Sequence, residues 1–156
     1  MIDTTQVQRR KVSYANLDEV IADAQRAASE NAAVVGNWTL GQIFEHLAVV
    51  MDKTIDGFDM KPPLMVRLVG RFYLKGRFLK QGMTSGFQLK GPAADELVPP
   101  EVDTQVALDH LYQAAERVKV EAPHPTHPFF GSLTHDQAKR INCRHAELHM
   151  SFVKEA

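Results

Sequence analysis

The sequence predicts an all-α protein, an antiparallel four-helix bundle with one long crossover connection. Apolar residues recur every three or four positions in several segments, which is the helical period. Capping-box pairs precede three of these segments, and no segment shows the alternation of apolar and polar residues that is typical of a strand. Since most domains contain about 100 to 200 residues, we expect residues 1–156 to form a single domain.

The predicted helices begin at residues that can cap them. Three of these caps have Glu or Gln three positions later, which is the capping-box spacing: Asn16, Thr39 and Thr134. Pro62 and Pro63 fit the first turn of a further helix, where the missing N–H costs nothing. The pattern predicts helices over residues 17–30, 40–57, 62–80, 104–118 and 135–153.

The segment between the third and fourth predicted helices has a different composition. Residues 81–100, QGMTSGFQLKGPAADELVPP, are rich in Gly and Pro and have no helical period. We expect one long connection that crosses the fold. Loops longer than about 12 to 15 residues are uncommon in compact domains and tend to be functional.

Composition and charge exclude several classes of protein. The chain has 44% hydrophobic and 24% charged residues and a formal net charge of -1, and nothing in this balance favours binding to nucleic acid. The N-terminal residues MIDTTQVQRR lack the apolar stretch of a signal peptide, and no apolar run approaches the roughly 18 residues of a membrane span. We therefore expect a cytoplasmic protein. The single cysteine, Cys143, excludes an intramolecular disulfide and a Cys-rich zinc site, so a metal would need His or carboxylate ligands.

The third predicted helix is strongly basic, since residues 61–90 carry seven Lys and Arg and no acid. Arg67 and Arg71 are candidates for binding an acidic substrate, because Arg forks suit carboxylates; a solvated face over apolar neighbours is the alternative. The mixture of basic and aromatic residues in VRLVGRFYLKGRFLK is also typical of an interfacial helix. Its apolar positions nearly encircle the helix, however, which favours a buried bundle helix. We therefore expect no association with a membrane.

Histidines supply the strongest signal for chemistry. His145 and His149 are four positions apart in the last predicted helix, so they project from one face and can share one ion. His46 stands among the apolar residues of the second predicted helix, where a buried hydrogen bond is the alternative to a metal. If these two helices pack together, the three rings converge. Three neutral imidazoles suit Zn²⁺, Ni²⁺ or Fe²⁺ and leave coordination positions open for water or substrate.

Other polar residues near the histidines have less specific roles. Gln42 and Asn142 each lie about one turn before a histidine and could orient a ligand from the second shell, although a capping or surface amide is the alternative for each. We expect Glu147 to face solvent, Cys143 to be a buried inert thiol and Trp38 to anchor the core.

The motifs GNWTLGQIFEHL and HPFFGSLTHDQAKRINCRHAELHMSF resemble those of the DinB-like superfamily, in a branch of unknown function with HPxFGxLT and HxxxH motifs. The resemblance extends from about Asn37 to Phe152. It implies a four-helix bundle, often dimeric, in which His46, His145 and His149 hold a divalent metal. Relatives of known activity are metal-dependent, thiol-using transferases and isomerases.

Together these observations leave two main functions open, and a third interpretation is an interaction module that acts through the basic residues 64–80 on an anionic membrane or partner. One is a metal-dependent thiol transferase or hydrolase that acts on a small electrophile, with a small-molecule thiol or electrophile as partner. The other is a non-catalytic, stress-related bundle that binds a metal or a small ligand. Whether the protein is an enzyme is undecided at this stage, and from the resemblance we expect a homodimer.

Overall fold

Helices form the fold, and no strand occurs among residues 2–84, 91 and 96–155, which are those that this computed structural model describes. The predicted all-α class is therefore confirmed for the described residues. The helices are α1 (Leu17–Ser29), α2 (Leu40–Asp56), α3 (Leu64–Val69), α4 (Lys75–Gln81), α5 (Thr104–Val120) and α6 (His135–Met150), with a π-helical segment, Gly70–Leu74, joining α3 to α4.

Capping explains where the long helices begin. The side chains of Thr39 and Thr134 each accept the backbone N–H of a Gln three residues later, and that Gln accepts the cap's own N–H in return. These two predicted capping boxes are confirmed. Asn16 also caps α1, but the carboxylate of Glu19 accepts the N–H of Ala15 rather than that of Asn16.

The last helix is shorter than predicted. α6 ends at Met150, and Val153 beyond it forms an isolated antiparallel bridge with Val34. Two hydrogen bonds fix this pairing, from the N–H of Val35 to the carbonyl of Phe152 and from the N–H of Lys154 to the carbonyl of Ala33. The apolar residues after Met150 therefore close the core through an extended segment, which periodicity alone could not distinguish from another helical turn.

The four long helices, α1, α2, α5 and α6, enclose one hydrophobic core. α2 runs along α5 and also contacts α6, so the second and last long helices are neighbours. Fully buried side chains from all four helices fill the core, among them Val20, Phe44, Leu47, Leu111 and Met150. The contact between α2 and α6 is the condition under which the three candidate histidines can meet.

The third helical region differs from the prediction. We expected a buried bundle helix over residues 62–80, but no residue of α3 or α4 is buried. Pro63 occupies the N-cap position of α3 and does not lie in its first turn. In the π-helical segment only Gly70 is buried, and a Cβ there would lie 2.2 Å from the carbonyl oxygen of Phe129. The region therefore contacts the body of the protein along a narrow strip, which a hydrophobic count around the helix could not reveal.

Hydrogen bonds of His127 hold the turn before α6. His127 and Gly131 exchange backbone hydrogen bonds of 2.8 and 3.0 Å, and the His127 Nδ1 atom accepts the N–H of Phe129. Phe130 is buried against this turn.

Only part of the predicted crossover can be compared with the structure, because residues 85–90 and 92–95 lie outside the described residues. At its far end Leu97 is buried and the carbonyl of Pro99 accepts a hydrogen bond from Gln42. Across the described parts of the chain, none of the helices has both the length and the apolar character of a membrane span.

Candidate metal centre

Three histidine rings meet between α2 and α6. His46 comes from α2, and His145 and His149 come from successive turns of α6. The Nε2 atom of His145 is 3.2 Å from that of His46 and 3.1 Å from that of His149. The structure thus brings together the three residues that the sequence singled out, with one nitrogen of each ring within 4.8 Å of those of the other two.

The ring of His46 is oriented by a backbone carbonyl. Its Nδ1–H donates a 2.6 Å hydrogen bond to the carbonyl oxygen of Leu97. Since a neutral imidazole carries one proton, the Nε2 atom of His46 is left with a free lone pair. Burial lowers the pKa of His46 to about 4, although the bond to Leu97 opposes this shift. His46 is therefore a neutral ring at pH 7, oriented as metal-ligating histidines are.

The pKa values of His145 and His149 are also lowered, well below 6.5. Burial is the main cause for both rings, and the proximity of the other histidines adds to it, since a second positive charge at this distance is unfavourable. All three rings are consequently neutral near pH 7, which is the form that binds metal ions.

Hydrogen bonds between neutral rings cannot satisfy both nitrogen contacts. The Nε2 atom of His145 has either one proton or one lone pair, yet it faces the Nε2 atoms of both His46 and His149. Because the Nε2 atom of His46 bears no proton, at most one contact is a good hydrogen bond and the other contact is left without one. A cation between the rings would accept all three lone pairs and so satisfy all three nitrogens.

The nitrogen separations also fit one shared ion. Two imidazole nitrogens at about 2.1 Å from one metal stand roughly 3.0 to 3.4 Å apart for bond angles of about 90° to 109°. The two separations of 3.2 and 3.1 Å lie in this interval. The donor set and its spacing therefore fit a divalent transition metal.

Trp38 covers the histidines on one side. Its ring is stacked on that of His149, with centroids 5.4 Å apart and an interplanar angle of 5°, and it lies 4.9 Å from the ring of His46. The sequence predicted Trp38 only as a core anchor, but its position two residues before α2, in the motif shared with His46, was an available signal. The carbonyl of Leu97 had no such signal, because a backbone atom in a loop leaves no trace in residue type.

Gln42 and Asn142, the two amides that we expected to orient a ligand near the histidines, form other hydrogen bonds. Asn142 is buried, and its Nδ2 donates to the carbonyl of Ala138 at 3.0 Å and to the hydroxyl of Thr54 at 3.4 Å. Gln42 completes the capping box of α2, and its Nε2 donates to the carbonyl of Pro99 at 3.1 Å. Gln42 therefore anchors the segment that carries Leu97, and through it acts on His46 without touching the ring.

Glu147 is buried, and the prediction that it faces solvent was wrong. Its carboxylate accepts the N–H of Tyr14 at 2.9 Å and pairs with Arg144 at 2.7 Å. The N-terminal segment covers this face of α6, a long-range contact that the helical period does not report. Glu45 points to α5, where it lies 2.9 Å from His110.

Cys143 is buried, as predicted, and burial raises the pKa of its thiol to about 11. It is therefore a thiol at neutral pH, which is the unreactive form. Arg67 and Arg71 are exposed residues of the third helical region. The side chain of Arg71 lies beside Gly131, and its guanidinium is over the ring of Phe72 at 5.6 Å. Their role as substrate-binding residues stays a prediction.

Comparisons with known proteins define the family but not an activity. A search of curated proteins found no match, and a search of solved structures found none either. A family model described as a protein of unknown function, DUF1569, matches residues 6–156. The chain therefore belongs to the DUF1569 family.

Proposed function

We propose that the protein binds a divalent metal, Zn²⁺, Ni²⁺ or Fe²⁺, through His46, His145 and His149. The observation that carries this proposal is the pair of Nε2 contacts at 3.2 and 3.1 Å that share His145, because neutral rings cannot satisfy both. A metal in this position would act as a Lewis acid that lowers the pKa of a water or thiol ligand. We also propose that the protein is a DinB-like antiparallel four-helix bundle with a long crossover connection and that it forms a homodimer.

The reaction that we propose is transfer or hydrolysis at a small electrophile, with a small-molecule thiol as the second substrate in the transferase case. In this reaction His46 is held in orientation by Leu97, and Trp38 shields one side from water. His145 and His149 are only partly buried, so substrates can approach from their side. Arg67 and Arg71 are the proposed contacts for an acidic substrate.

A second function is a non-catalytic, stress-related bundle that binds a metal or a small ligand. This function is supported by the state of the acids and the thiol nearest in sequence to the histidines, because none of them is available for catalysis. Glu45 pairs with His110, Glu147 pairs with Arg144, and Cys143 has a raised pKa. None of these three side chains is free to act as a general base or nucleophile.

Metal binding is tested by titrating chelator-treated protein with Zn²⁺ and with Ni²⁺. Calorimetry should give one site per chain in the wild type and none in the variant with both His145→Ala and His149→Ala. His124→Ala is the matched control, because His124 is exposed and hydrogen-bonds locally to Thr126. Equal binding of Zn²⁺ and Ni²⁺ by the wild type and the double variant would contradict the proposal.

The fluorescence of Trp38 supplies an independent signal in this titration. Trp38 is the single tryptophan in the chain, and it is stacked on His149. Ni²⁺ should therefore quench the fluorescence of the wild type and of His124→Ala, but not that of the double variant.

Catalysis is tested separately on protein loaded with Zn²⁺, Ni²⁺ or Fe²⁺ in turn. A panel of low-molecular-weight thiols and electrophiles is followed by mass spectrometry, with the chelator-treated protein and the double histidine variant as controls. If the protein is a transferase, we expect conjugation of a thiol to an electrophile, and this conjugation should need both the metal and the histidines. Tight metal binding without any turnover would favour the non-catalytic bundle.

A further inference from the structure

The outer helix, defined here as residues 64–81, presents large apolar side chains to solvent. Leu64, Met65, Phe72 and Tyr73 are 65%, 69%, 77% and 63% exposed. Val66, Leu68 and Val69 are exposed as well. Folded monomers rarely expose apolar residues in such a continuous group, and larger groups mark surfaces that bind a partner or a membrane.

The same helix is positively charged along its whole length. It carries Arg67, Arg71, Lys75, Arg77 and Lys80 and has no acid. None of these cations forms an ion pair with a described residue; Lys75 instead donates to the carbonyl of Ser132 at 2.6 Å. Arg67, Arg71, Arg77 and Lys80 are exposed. Arg71 also lies beside the turn before α6, since a Cβ at Gly131 would be 3.2 Å from the Cδ atom of Arg71.

Contacts with the body of the protein occupy the opposite side of the outer helix. Gly70 lies against the carbonyl of Phe129, and the ring of Phe78 meets that of Phe130 edge-on with centroids 5.9 Å apart. These contacts fix the helix on the protein, while its exposed apolar side chains and the cations beside them face solvent.

We propose that the outer helix binds the surface of an anionic lipid bilayer. The exposed apolar side chains would enter the boundary between headgroups and acyl chains, and the cations beside them would contact the lipid phosphates. The sequence argument against a membrane depended on this helix being buried in the bundle. Its exposure removes that argument, and the combination of cations and exposed apolar side chains on one helix is typical of helices that lie in the membrane interface.

Charge and apolar exposure together favour an anionic bilayer over a second copy of the chain or a nucleic acid as the ligand of the outer helix. A second copy of the same face would bring five cations of each chain towards one another with no acid on the helix to pair with them. A nucleic acid would satisfy the cations but would leave Phe72 and Leu64 in water. An anionic bilayer satisfies both the charges and the apolar side chains.

The test is co-sedimentation of the full chain with vesicles. One set contains phosphatidylglycerol mixed with phosphatidylcholine, and the other contains phosphatidylcholine alone. We expect binding to the anionic set only, decreasing as salt rises. Arg71→Gln combined with Arg77→Gln should weaken binding about thirtyfold, since each cation near an anionic surface contributes about fivefold. Phe72→Ser combined with Tyr73→Ser should also weaken binding, even at low salt.

Two control proteins make the result specific. Lys139→Gln combined with Lys154→Gln removes the same charge outside the outer helix, and Val106→Ser combined with Val120→Ser removes exposed apolar residues elsewhere. Both should bind anionic vesicles as the wild type does, within about twofold. Circular dichroism checks that each variant is folded.

Either of two outcomes would overturn the assignment. The first is equal binding to both sets of vesicles, or binding to neither. The second is a dimer, seen by light scattering, in a wild type that does not bind vesicles. In that case the variant with both Phe72→Ser and Tyr73→Ser would be a monomer. That outcome would assign the face to a second copy of the chain.

Discussion

Gln42 is hydrogen-bonded to the segment whose Leu97 carbonyl orients His46, although it does not touch the histidine rings. Its Oε1 accepts the N–H of the cap Thr39 at 3.0 Å, while its Nε2 donates to the carbonyl of Pro99, two residues after the Leu97 carbonyl that orients His46. A glutamate at this position would keep the cap but could not donate to Pro99. The two roles of the amide can therefore be separated.

We expect Gln42→Glu to weaken binding of Zn²⁺ about tenfold, the lower range for losses of an outer-shell hydrogen bond at a metal site. The matched control is Gln137→Glu, which makes the same change in the capping box of α6, away from Pro99. Calorimetry on both variants gives the comparison. A loss of similar size in both would show that the effect comes from helix capping.

Asp23 of α1 is the centre of a buried polar cluster. It accepts hydrogen bonds from Arg10, Tyr14 and Arg26. Burial would raise the pKa of Asp23, but the hydrogen bonds from Arg10 and Tyr14 outweigh burial and lower it. The carboxylate therefore holds the N-terminal segment on α1 as an ion at neutral pH.

Asp23→Ala should lower the free energy of unfolding by about 3 kcal/mol, because the Arg10 guanidinium, 13% exposed, is left without its counterion. Asp18→Ala is the control, since Asp18 pairs with Lys119 at the surface and should contribute less than about 1 kcal/mol. Urea unfolding measures both variants. Equal losses would contradict a special role for the buried pair.

At the scale of helices, the start of α2 depends on a close approach between two backbones. A Cβ at Gly41 would lie 2.2 Å from the carbonyl oxygen of Val102, just before the cap of α5. No side chain can be accommodated there unless α2 and the 102–103 segment move apart. α2 carries His46, so this contact also bears on the position of that histidine.

Gly41→Ala should destabilise the protein by about 1 to 3 kcal/mol through this overlap, although alanine is the better helix former. Gly76→Ala is the opposite case, since nothing lies within 4 Å of a Cβ there and Gly76 is inside α4. That variant should stabilise the protein by about 0.5 to 1 kcal/mol. Thermal unfolding checks both signs, and a stabilised Gly41→Ala protein would refute the role given to this contact.

Local signals explain which elements could be predicted from the sequence. The capping pairs at Thr39 and Thr134 and the helical period fixed the positions of α2 and α6, and with them the faces of His46 and His145. These signals act within one or two turns of chain. They therefore predict helices and the residues that share a face.

Contacts between distant segments explain what could not be predicted. Whether residues 64–81 are buried depends on which elements lie over them, and the burial of Glu147 depends on the N-terminal segment crossing α6. The bond from His46 to the Leu97 carbonyl likewise joins residues 51 positions apart. Residue types alone contain no record of such contacts.

For the whole molecule, the neutral histidines make stability dependent on pH. Burial lowers the pKa of His46 from 6.5 to about 4, so the unfolded chain binds this proton at a higher pH than the folded chain does. The contribution of His46 to stability is complete above pH 6.5 and is lost as the pH falls towards about 4. His110 has the opposite shift: burial would lower its pKa, but hydrogen bonds to Glu45 and Asp52 raise it.

We expect the metal-free protein to be about 2 kcal/mol less stable at pH 5 than at pH 7 from His46 alone, with part of this loss offset by His110. Urea unfolding at a series of pH values measures it. His110→Gln removes the offset and should make the decrease steeper. A stability that is constant or rises between pH 7 and pH 5 in the His110→Gln protein would contradict neutral, buried histidines.

The central claim for the molecule is that α2 and α6 hold one metal ion through three imidazoles. X-ray absorption of the Zn²⁺-loaded protein tests it most directly. We predict three imidazole nitrogens at about 2.0 to 2.1 Å in the wild type, and two in any zinc complex that His149→Ala still forms. A zinc environment without imidazole scattering, or one that His149→Ala leaves unchanged, would contradict the claim.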